Sequence, residues 1–471
     1  YAVSCGNQTV VDAVEIMDYF LEDSRVRVIV AVLEGIRDVP GFRRMAARAA
    51  DRQVPIVALK LGRSERGSRA AIAHTGSLTG ASHLVEALFE ECGVIRVDDL
   101  GEIGATAALL AAARRPNGMG LGVTASSGGE CGLVSDLATE AGLVLPELPV
   151  EQREKVVPLL PSFARPSNPL DITAVGWGVR EISRETVSAL AETPGVDLVA
   201  SIGQASSYSG PMADIGWEPM VAGLGDVAAN GNVPVVLIST VTDVQAELVK
   251  ALAEHDVPVL AGTRTAIRSI ANAGRYAVWQ RERPAPAAPH TVDDARRAQA
   301  LALLPPAGSG GVSESVSKQI ARLYGIPIPD GGLATSPEMA RDIAERIGYP
   351  VVLKIEAEGL HHKTEVGGVV IGVNSGDGVA ADYAALTQRV ASARPDATIK
   401  GVRIERMVSG GVELVVGGTR DEQFGPVVVV GAGGVLIEVL RDTVHHLAPV
   451  DAPTACRMLQ RLRSRALLDG Y

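Results

Sequence analysis

Residues 25–33 read RVRVIVAVL and residues 54–61 read VPIVALKL. Each is an apolar run rich in β-branched residues. The first ends on Glu34-Gly35 and the second on Gly62-Arg63. Between them, Phe42–Arg52 has a helical pattern. Strand, helix, strand, with both strands almost continuously apolar, is the pattern of parallel strands joined by a crossover helix. The stretch therefore predicts an α/β fold built on parallel sheets.

The same rhythm continues downstream. A new unit starts near Asn117, with a strand at Gly120–Thr124, the turn Ala125-Ser126-Ser127-Gly128-Gly129 and an amphipathic helix over Cys131–Gly142. Short apolar runs follow at Asp197–Ile202, Val233–Ser239 and Val257–Ala261, and the unit ends near Gln280. Residues Arg281–Gly311 are rich in Pro, Ala, Gly and charge, the composition of a semi-rigid linker. A third unit opens with a helix at Glu314–Tyr324. Its strands are expected at Pro350–Ile355, Lys400–Met407, Val412–Gly417 and Pro426–Gly431. The expected division is 1–115, 116–280, a linker over 281–311, and 312–471. The first two units read as distant copies of one fold.

Composition sets limits on function. A chain of 471 residues has room for about three domains at roughly 150 residues each. Aromatics are only 3%, so the core must be built from Val, Leu, Ile and Ala. The net charge of -11 gives no basic footprint and argues against nucleic acid as a partner. Cys5, Cys92, Cys131 and Cys456 are too scattered for a disulfide framework or a metal motif, which fits a reducing cytoplasm. No apolar run reaches the ~18 residues that a membrane helix needs, and no secretory signal is visible. The chain opens on Tyr1 in what reads as a strand and stops at Tyr471 just after a helical segment, so both ends read as cut.

Four segments carry candidate chemistry. In Ala71–Gly80 (AIAHTGSLTG), His74 stands among Gly, Ser and Thr, just after a polar, basic loop with Lys60, Arg63, Arg66 and Arg69. Small residues let a phosphate approach the backbone, and an imidazole with one free nitrogen is a nucleophile toward phosphorus. The same segment also reads as a loop histidine that caps a helix. In Ala125–Gly129, a strand, a Gly/Ser turn and a helix N-terminus make an anion site, or a simple tight turn. Leu353-Lys354 followed by LHHKTEVGGV (Leu360–Val369) puts a strand lysine beside a Gly-Gly loop. That pairing suits a nucleotide triphosphate, the other reading being a solvated loop with a buried lysine stem. In IERMV (Ile404–Val408) and GVEL (Gly411–Leu414), Glu405 and Glu413 are placed to line an adenine and accept ribose hydroxyls, or to form a solvated strand edge. The run Asp421–Pro426 with Gly431–Gly434 and Glu438 reads as strand, turn, strand, with no chemistry of its own.

Taken together and in this order, the motifs resemble those of the nucleoside-diphosphate-forming acyl-CoA synthetases, relatives of succinyl-CoA synthetase. The resemblance covers essentially the whole chain. It is carried by AHTGSLTG around His74, by the Ser-Gly-Gly turn with Asn168-Pro169-Leu170-Asp171, and by HKTEVGGV from His362. It implies two flavodoxin-like ligase domains followed by an ATP-grasp domain incomplete at its C-terminal end. The family's CoA-binding domain then lies outside this chain. It also implies that His74 becomes phosphorylated, that Glu34 orients it, and that Ser127, Gly128 and Gly129 hold the phosphoryl group. His362 matches a second acceptor near the nucleotide. Lys354, Gly367, Gly368, Glu405 and Glu413 match nucleotide contacts.

The implied cofactors are ATP/ADP, Mg²⁺ and CoA, with no metal ligand assignable in this stretch. The implied partners are a small carboxylic acid, CoA, phosphate and further copies of the chain. Two other readings stay open: a metabolite-sensing module of a protein acetyltransferase, and an ATP-grasp ligase joining a carboxylate to an amine. The latter leaves AHTGSLTG without a purpose.

Overall fold

The computed structural model describes residues 1–64, 66, 81–173, 178–203, 217–283, 293–306, 311–360, 363–434 and 442–470. It divides into two compact units, Tyr1–Pro284 with Glu413–Tyr471, and Ala285–Val412.

The first unit opens on the predicted strand–helix–strand. Strands β1 (Ile29–Leu33), β2 (Ile56–Lys60) and β3 (Ile95–Val97) form a parallel sheet in that order. The crossover helix α1 (Val39–Asp51) starts where the Asp38 carboxylate accepts from the Gly41 N–H, and it buries Phe42, Met45, Ala46 and Ala49. Strand β2 is buried along its whole length. Strand β1 alternates between buried and exposed, because it is an edge strand of this sheet. Helix α2 (Leu100–Ala111) follows β3 and is capped by Asp99.

A second parallel sheet contains β4 (Leu121–Ala125), β5 (Leu170–Asp171), β6 (Leu198–Gly203), β7 (Val235–Ser239) and β8 (Val259–Ala261). Its order is β5-β4-β6-β7-β8. From β4 the chain steps to β5 on one side and then to β6 on the other. That reversal is the switch point of a flavodoxin-like sheet, outside whose strand C-termini ligands bind. Helix α3 (Gly128–Ala141) leaves β4 there. Helices α2, α3 and α4 (Thr263–Glu282) share one apolar core with residues of both sheets, among them Val57, Val97, Val123, Leu198 and Ile267.

The second unit is an antiparallel sheet with an opposite division of labour between its faces. Helix α5 (Glu314–Leu323) precedes β9 (Gly331–Ala334), helix α6 (Pro337–Ile347), β10 (Val351–Glu358), β11 (Val369–Val373), helix α7 (Gly376–Ala393) and β12 (Thr398–Arg406). The sheet order is β11-β10-β12-β9. Val351, Leu353 and Ile355 of β10 join Val402 and Ile404 of β12 in a core closed by Ile343, Ala344, Leu386 and Val390 of α6 and α7. Lys354 and Glu356 of β10 and Arg403 and Glu405 of β12 face the other way.

Strands β13 (Leu414–Asp421), β14 (Gly425–Ala432) and β15 (Thr443–Leu447) make a small antiparallel sheet. These strands belong to the first compact unit, where Phe424, Val427 and Leu447 share a core with Phe42 and Phe89.

Candidate functional site

His74 and His362 lie outside the described residues. All but one of the other predicted site residues fall into three places.

The first is the end of the β1–β2 pair. Glu34 directly follows β1, and Lys60 ends β2 opposite Leu33. The sequence placed Lys60 in a polar loop. The structure instead buries it, 3% exposed, with its ammonium donating to the carbonyl oxygens of Glu34, at 2.8 Å, and of Leu61. Burial pushes the Lys60 ammonium below its ordinary pKa; the nearby Glu34 carboxylate partly opposes this. Arg63, three residues on, donates to Asp98 at 2.6 Å. Asp98 also takes Arg268 of α4 and lies 3.3 Å from Arg96. Burial raises the Asp98 pKa, and the hydrogen bonds from Arg268 and Arg63 outweigh it, so the carboxyl stays below its usual range. The chain entering the His74 segment is thus pinned by ion pairs at Arg63.

The second is the turn after β4, at the switch point. Ser127 is the N-cap of α3, and its hydroxyl accepts from the Glu130 N–H at 3.3 Å. The Glu130 carboxylate turns back to accept from the N–H and the hydroxyl of Ser126, at 3.1 and 3.0 Å. Gly128 and Gly129 form the first turn of the helix, whose N–H groups and dipole favour an anion. A Cβ at Gly128 would stand 3.4 Å from Asp171 Oδ2, which shows how near the end of β5 comes. Asn168 fixes that neighbourhood: its Oδ1 accepts from Val123 N, and its Nδ2 donates to the carbonyls of Leu121 and Pro146. The Asn-Pro-Leu-Asp motif is therefore a bracket that holds β5 beside β4.

The third is the polar face of the second unit. Lys354 of β10 pairs in register with Arg403 of β12, and Val352 with Glu405, so Lys354, Arg403 and Glu405 share one face. Helix α5 lays Glu314, Ser315 and Lys318 on it. Lys354 Nζ reaches Glu405 Oε2 at 3.0 Å and Glu314 Oε1 at 3.1 Å. Lys318 donates to Glu405 and lies 2.8 Å from Glu314. Lys363 donates to Glu314 at 2.6 Å, and Arg403 to Glu405 at 2.6 Å. Ser315 accepts from Arg403 at 3.0 Å and donates to Glu356 at 2.5 Å.

Electrostatics in this cluster follow the pairing. Burial raises the pKa of Glu405, yet Lys318, Arg403 and Lys354 more than reverse it and hold the carboxyl below its usual range. Glu314 behaves in the same way through Lys318, Lys363 and Lys354. Lys354 loses some basicity to burial and regains more from Glu405 and Glu314. Glu405, Glu314 and Lys354 are therefore charged at neutral pH.

Gly367 and Gly368 close the face. Gly368 O accepts from Ile355 N at 2.8 Å, and Gly368 N donates to Lys363 O at 2.7 Å. A Cβ at Gly368 would meet Ile355 Cγ2 at 2.7 Å and Lys363 O at 2.8 Å, and Gly367 has φ +62°. Both positions thus require glycine, so the turn can lie flat on β10 beside Lys354. Glu413 is in the other compact unit, where its carbonyl accepts from Gly433 N at 2.8 Å.

Sequence reasoning missed Glu314, Lys318 and Arg403. Two signals were present: the i,i+4 acid–base pair on α5, and charged residues at alternate positions 354, 356, 403 and 405 of otherwise apolar strands. Among the described residues, no group of three or more His, Cys, Asp or Glu side chains is placed to hold a metal ion. No helix among them is long and apolar enough to cross a membrane.

A succinyl-CoA ligase like flavodoxin domain is matched over residues 1–110 and an ATP-grasp domain over residues 306–471. The chain is 37% identical, over 157 residues, to the beta subunit of the ADP-forming acetate–CoA ligase I of Pyrococcus furiosus, covering 33% of this chain and 68% of that subunit. The chain belongs to the ADP-forming acyl-CoA synthetase family. Across 99% of its length it is 31% identical to the ADP-forming acetate–CoA ligase I of Archaeoglobus fulgidus, and it spans 66% of that relative. It thus covers just under two thirds of that relative's length. The dinucleotide forming acetyl-coenzyme A synthetase 1 of Ca. Korarchaeum cryptofilum, solved with phosphate and ADP, is 26% identical. It superposes with a TM-score of 0.51 over 59% of each chain. The expected α/β class, with a parallel-sheet flavodoxin-like region and an ATP-grasp domain, stands.

Proposed function

We propose that this chain carries the phosphoryl-transfer machinery of an ADP-forming acyl-CoA synthetase, which interconverts acyl-CoA, ADP and phosphate with a carboxylic acid, CoA and ATP. In the ATP-forming direction, a phosphate oxygen attacks the acyl carbonyl. The carbon–sulfur bond breaks, and CoA leaves as the thiolate. A His74 nitrogen then attacks phosphorus, and the carboxylate departs. The phosphoryl group finally passes to a β-phosphate oxygen of ADP, directly or by way of His362. Splitting the transfer at histidine divides one difficult step into two easier ones.

The observation that carries this reading is the Ser127-capped helix at the switch point of the second sheet, in a chain of this family. A helix N-terminus there stabilises a phosphoryl group in flight without covalent chemistry. Within this reading Ser127, Gly128 and Gly129 hold the phosphoryl group, and Glu34 orients the His74 ring and fixes its tautomer. Lys354 supplies charge to the nucleotide phosphates, under the Gly367–Gly368 turn. Glu405 keeps Lys354 charged and aimed, and Glu413 accepts ribose hydroxyls. No described residue of this chain is assigned to Mg²⁺, which would neutralise charge on the nucleotide phosphates when bound. CoA would be held by the part of the family architecture outside this chain. The enzyme works in the cytoplasm as a homo-oligomer.

The test uses the full-length natural protein, Mg²⁺ and ATP labelled at the γ-phosphate. Acid-labile, base-stable label on protein is expected in wild type and absent in His74→Ala. Label lost only in His362→Ala would move the first stop to the nucleotide side. An unlabelled wild type that still binds ATP would overturn the synthetase reading in favour of metabolite sensing.

A further inference from the structure

Lys354, the cation offered to the nucleotide, is not idle, and neither is its neighbour Lys363. Both donate to one carboxylate, Glu314, at 3.1 and 2.6 Å, and Lys318 lies 2.8 Å from it. Glu314 thus joins the strand lysine of β10 to the lysine that leads into the Gly367–Gly368 turn. A carboxylate and a phosphate are both anions that only accept hydrogen bonds. They cannot share the same ammonium donors without repulsion, so an incoming phosphate chain competes for the groups Glu314 now holds.

The cluster contains two carboxylates that bind Lys354, and they differ in freedom. Glu405 is only 3% exposed in its side chain and is also gripped by Arg403 and Lys318. Glu314 is 25% exposed and sits in the first turn of α5, a helix with no fully buried residue. Displacing Glu405 would strand a buried charge. Displacing Glu314 moves a side chain that already reaches solvent.

We propose that Glu314 is a built-in stand-in for the nucleotide's phosphates: a positioning residue that holds Lys354 and Lys363 in place, and yields them when the phosphates arrive. The inference rests on the reading of Lys354 as a nucleotide contact. Its consequence is a tuned affinity. Each binding event must break the Glu314 contacts, so the site holds nucleotide less tightly than its lysines alone would. Release is correspondingly quicker, which suits a site that must exchange ADP for ATP on each turnover.

The experiment is calorimetric titration of the full-length protein with Mg²⁺-free ADP and with inorganic triphosphate, in wild type, Glu314→Gln, Glu314→Asp and Lys354→Met. Glu314→Gln is expected to tighten both ligands by about fivefold to tenfold, the scale of one partly exposed competing ion pair. Glu314→Asp, which keeps the charge on a shorter arm, should fall between Glu314→Gln and wild type. It carries the test if the glutamine variant does not fold. In turnover, Glu314→Gln should lower the KM for ADP and also lower kcat through slow ATP release, a split that mere loosening of the fold would not give. If the Glu314 variants bind no tighter than wild type while Lys354→Met loses binding, the stand-in role is overturned and the nucleotide site remains. If Lys354→Met binds like wild type, the nucleotide reading itself fails.

Discussion

The Lys60 ammonium donates to the carbonyl oxygen of Glu34 at 2.8 Å, tying together the ends of β1 and β2 where the proposed phosphohistidine partner emerges. A buried lysine spent on backbone carbonyls sets the path of the chain through Glu34. Lys60→Met would remove both of those hydrogen bonds. Urea unfolding is expected to show a loss of about 1–3 kcal/mol. Phosphohistidine formation should fall with it, because Glu34 loses its fixed exit from β1.

Ser127→Ala removes the N-cap of α3. A loss of about 1 kcal/mol in unfolding free energy is expected. If Ser127 also meets the phosphoryl group, the KM for phosphate should rise in the full-length enzyme while the KM for ADP stays put. Equal changes in both would reduce Ser127 to a structural cap.

Gly368→Ala places a Cβ against Ile355 and the Lys363 carbonyl, where the neighbours are backbone and a buried branched side chain. The turn must lift from β10. An ADP affinity weaker by about tenfold is expected, equal to about 1.4 kcal/mol of lost contact. An unchanged affinity would remove the glycine turn from the nucleotide site.

Glu405 gives the second unit an acid limit. Its carboxyl is held below the usual 4.5 by Lys318, Arg403 and Lys354, which outweigh the effect of burial. The unfolded chain therefore binds this proton more readily than the folded one. The resulting stability is present above pH 4.5 and is lost as pH falls through the lower, folded-state value. Thermal melting followed from neutral pH down to the acid range should fall more steeply in wild type than in Glu405→Gln. Parallel curves would contradict the assignment.

Much of this architecture was legible before any coordinates. The longer parallel strands announce themselves because a buried parallel strand has no polar face, so Ile56–Leu59 or Val235–Ile238 stands out as an apolar run, whereas β3 and β5, three and two residues long, were not read as strands. The turn proposed to hold phosphate was visible because Ser126-Ser127-Gly128-Gly129 sits between a strand and a helix. Lys60 was misread as a loop cation because its last turn of chemistry, two carbonyls at strand ends, is a tertiary fact. The Glu314 cluster was hidden for a related reason. Its members stand 40 to 87 positions apart in pairs such as Lys354–Glu314 and Lys318–Glu405, and only sheet register and the docking of α5 bring them together.

The pairing of β10 with β12 has a consequence for how this segment tolerates insertions. Leu353 lies opposite Ile404 on the apolar face, and Lys354 opposite Arg403 on the charged one. Sliding one strand by a single residue would swap these sets, driving the ammonium, guanidinium and carboxylate groups into the space filled by Leu386 and Val390. Misaligned pairings of these two strands are therefore rejected by the charges themselves. A one-residue deletion in β10 or β12 should abolish folding of this unit, whereas a two-residue deletion would preserve its two-faced character.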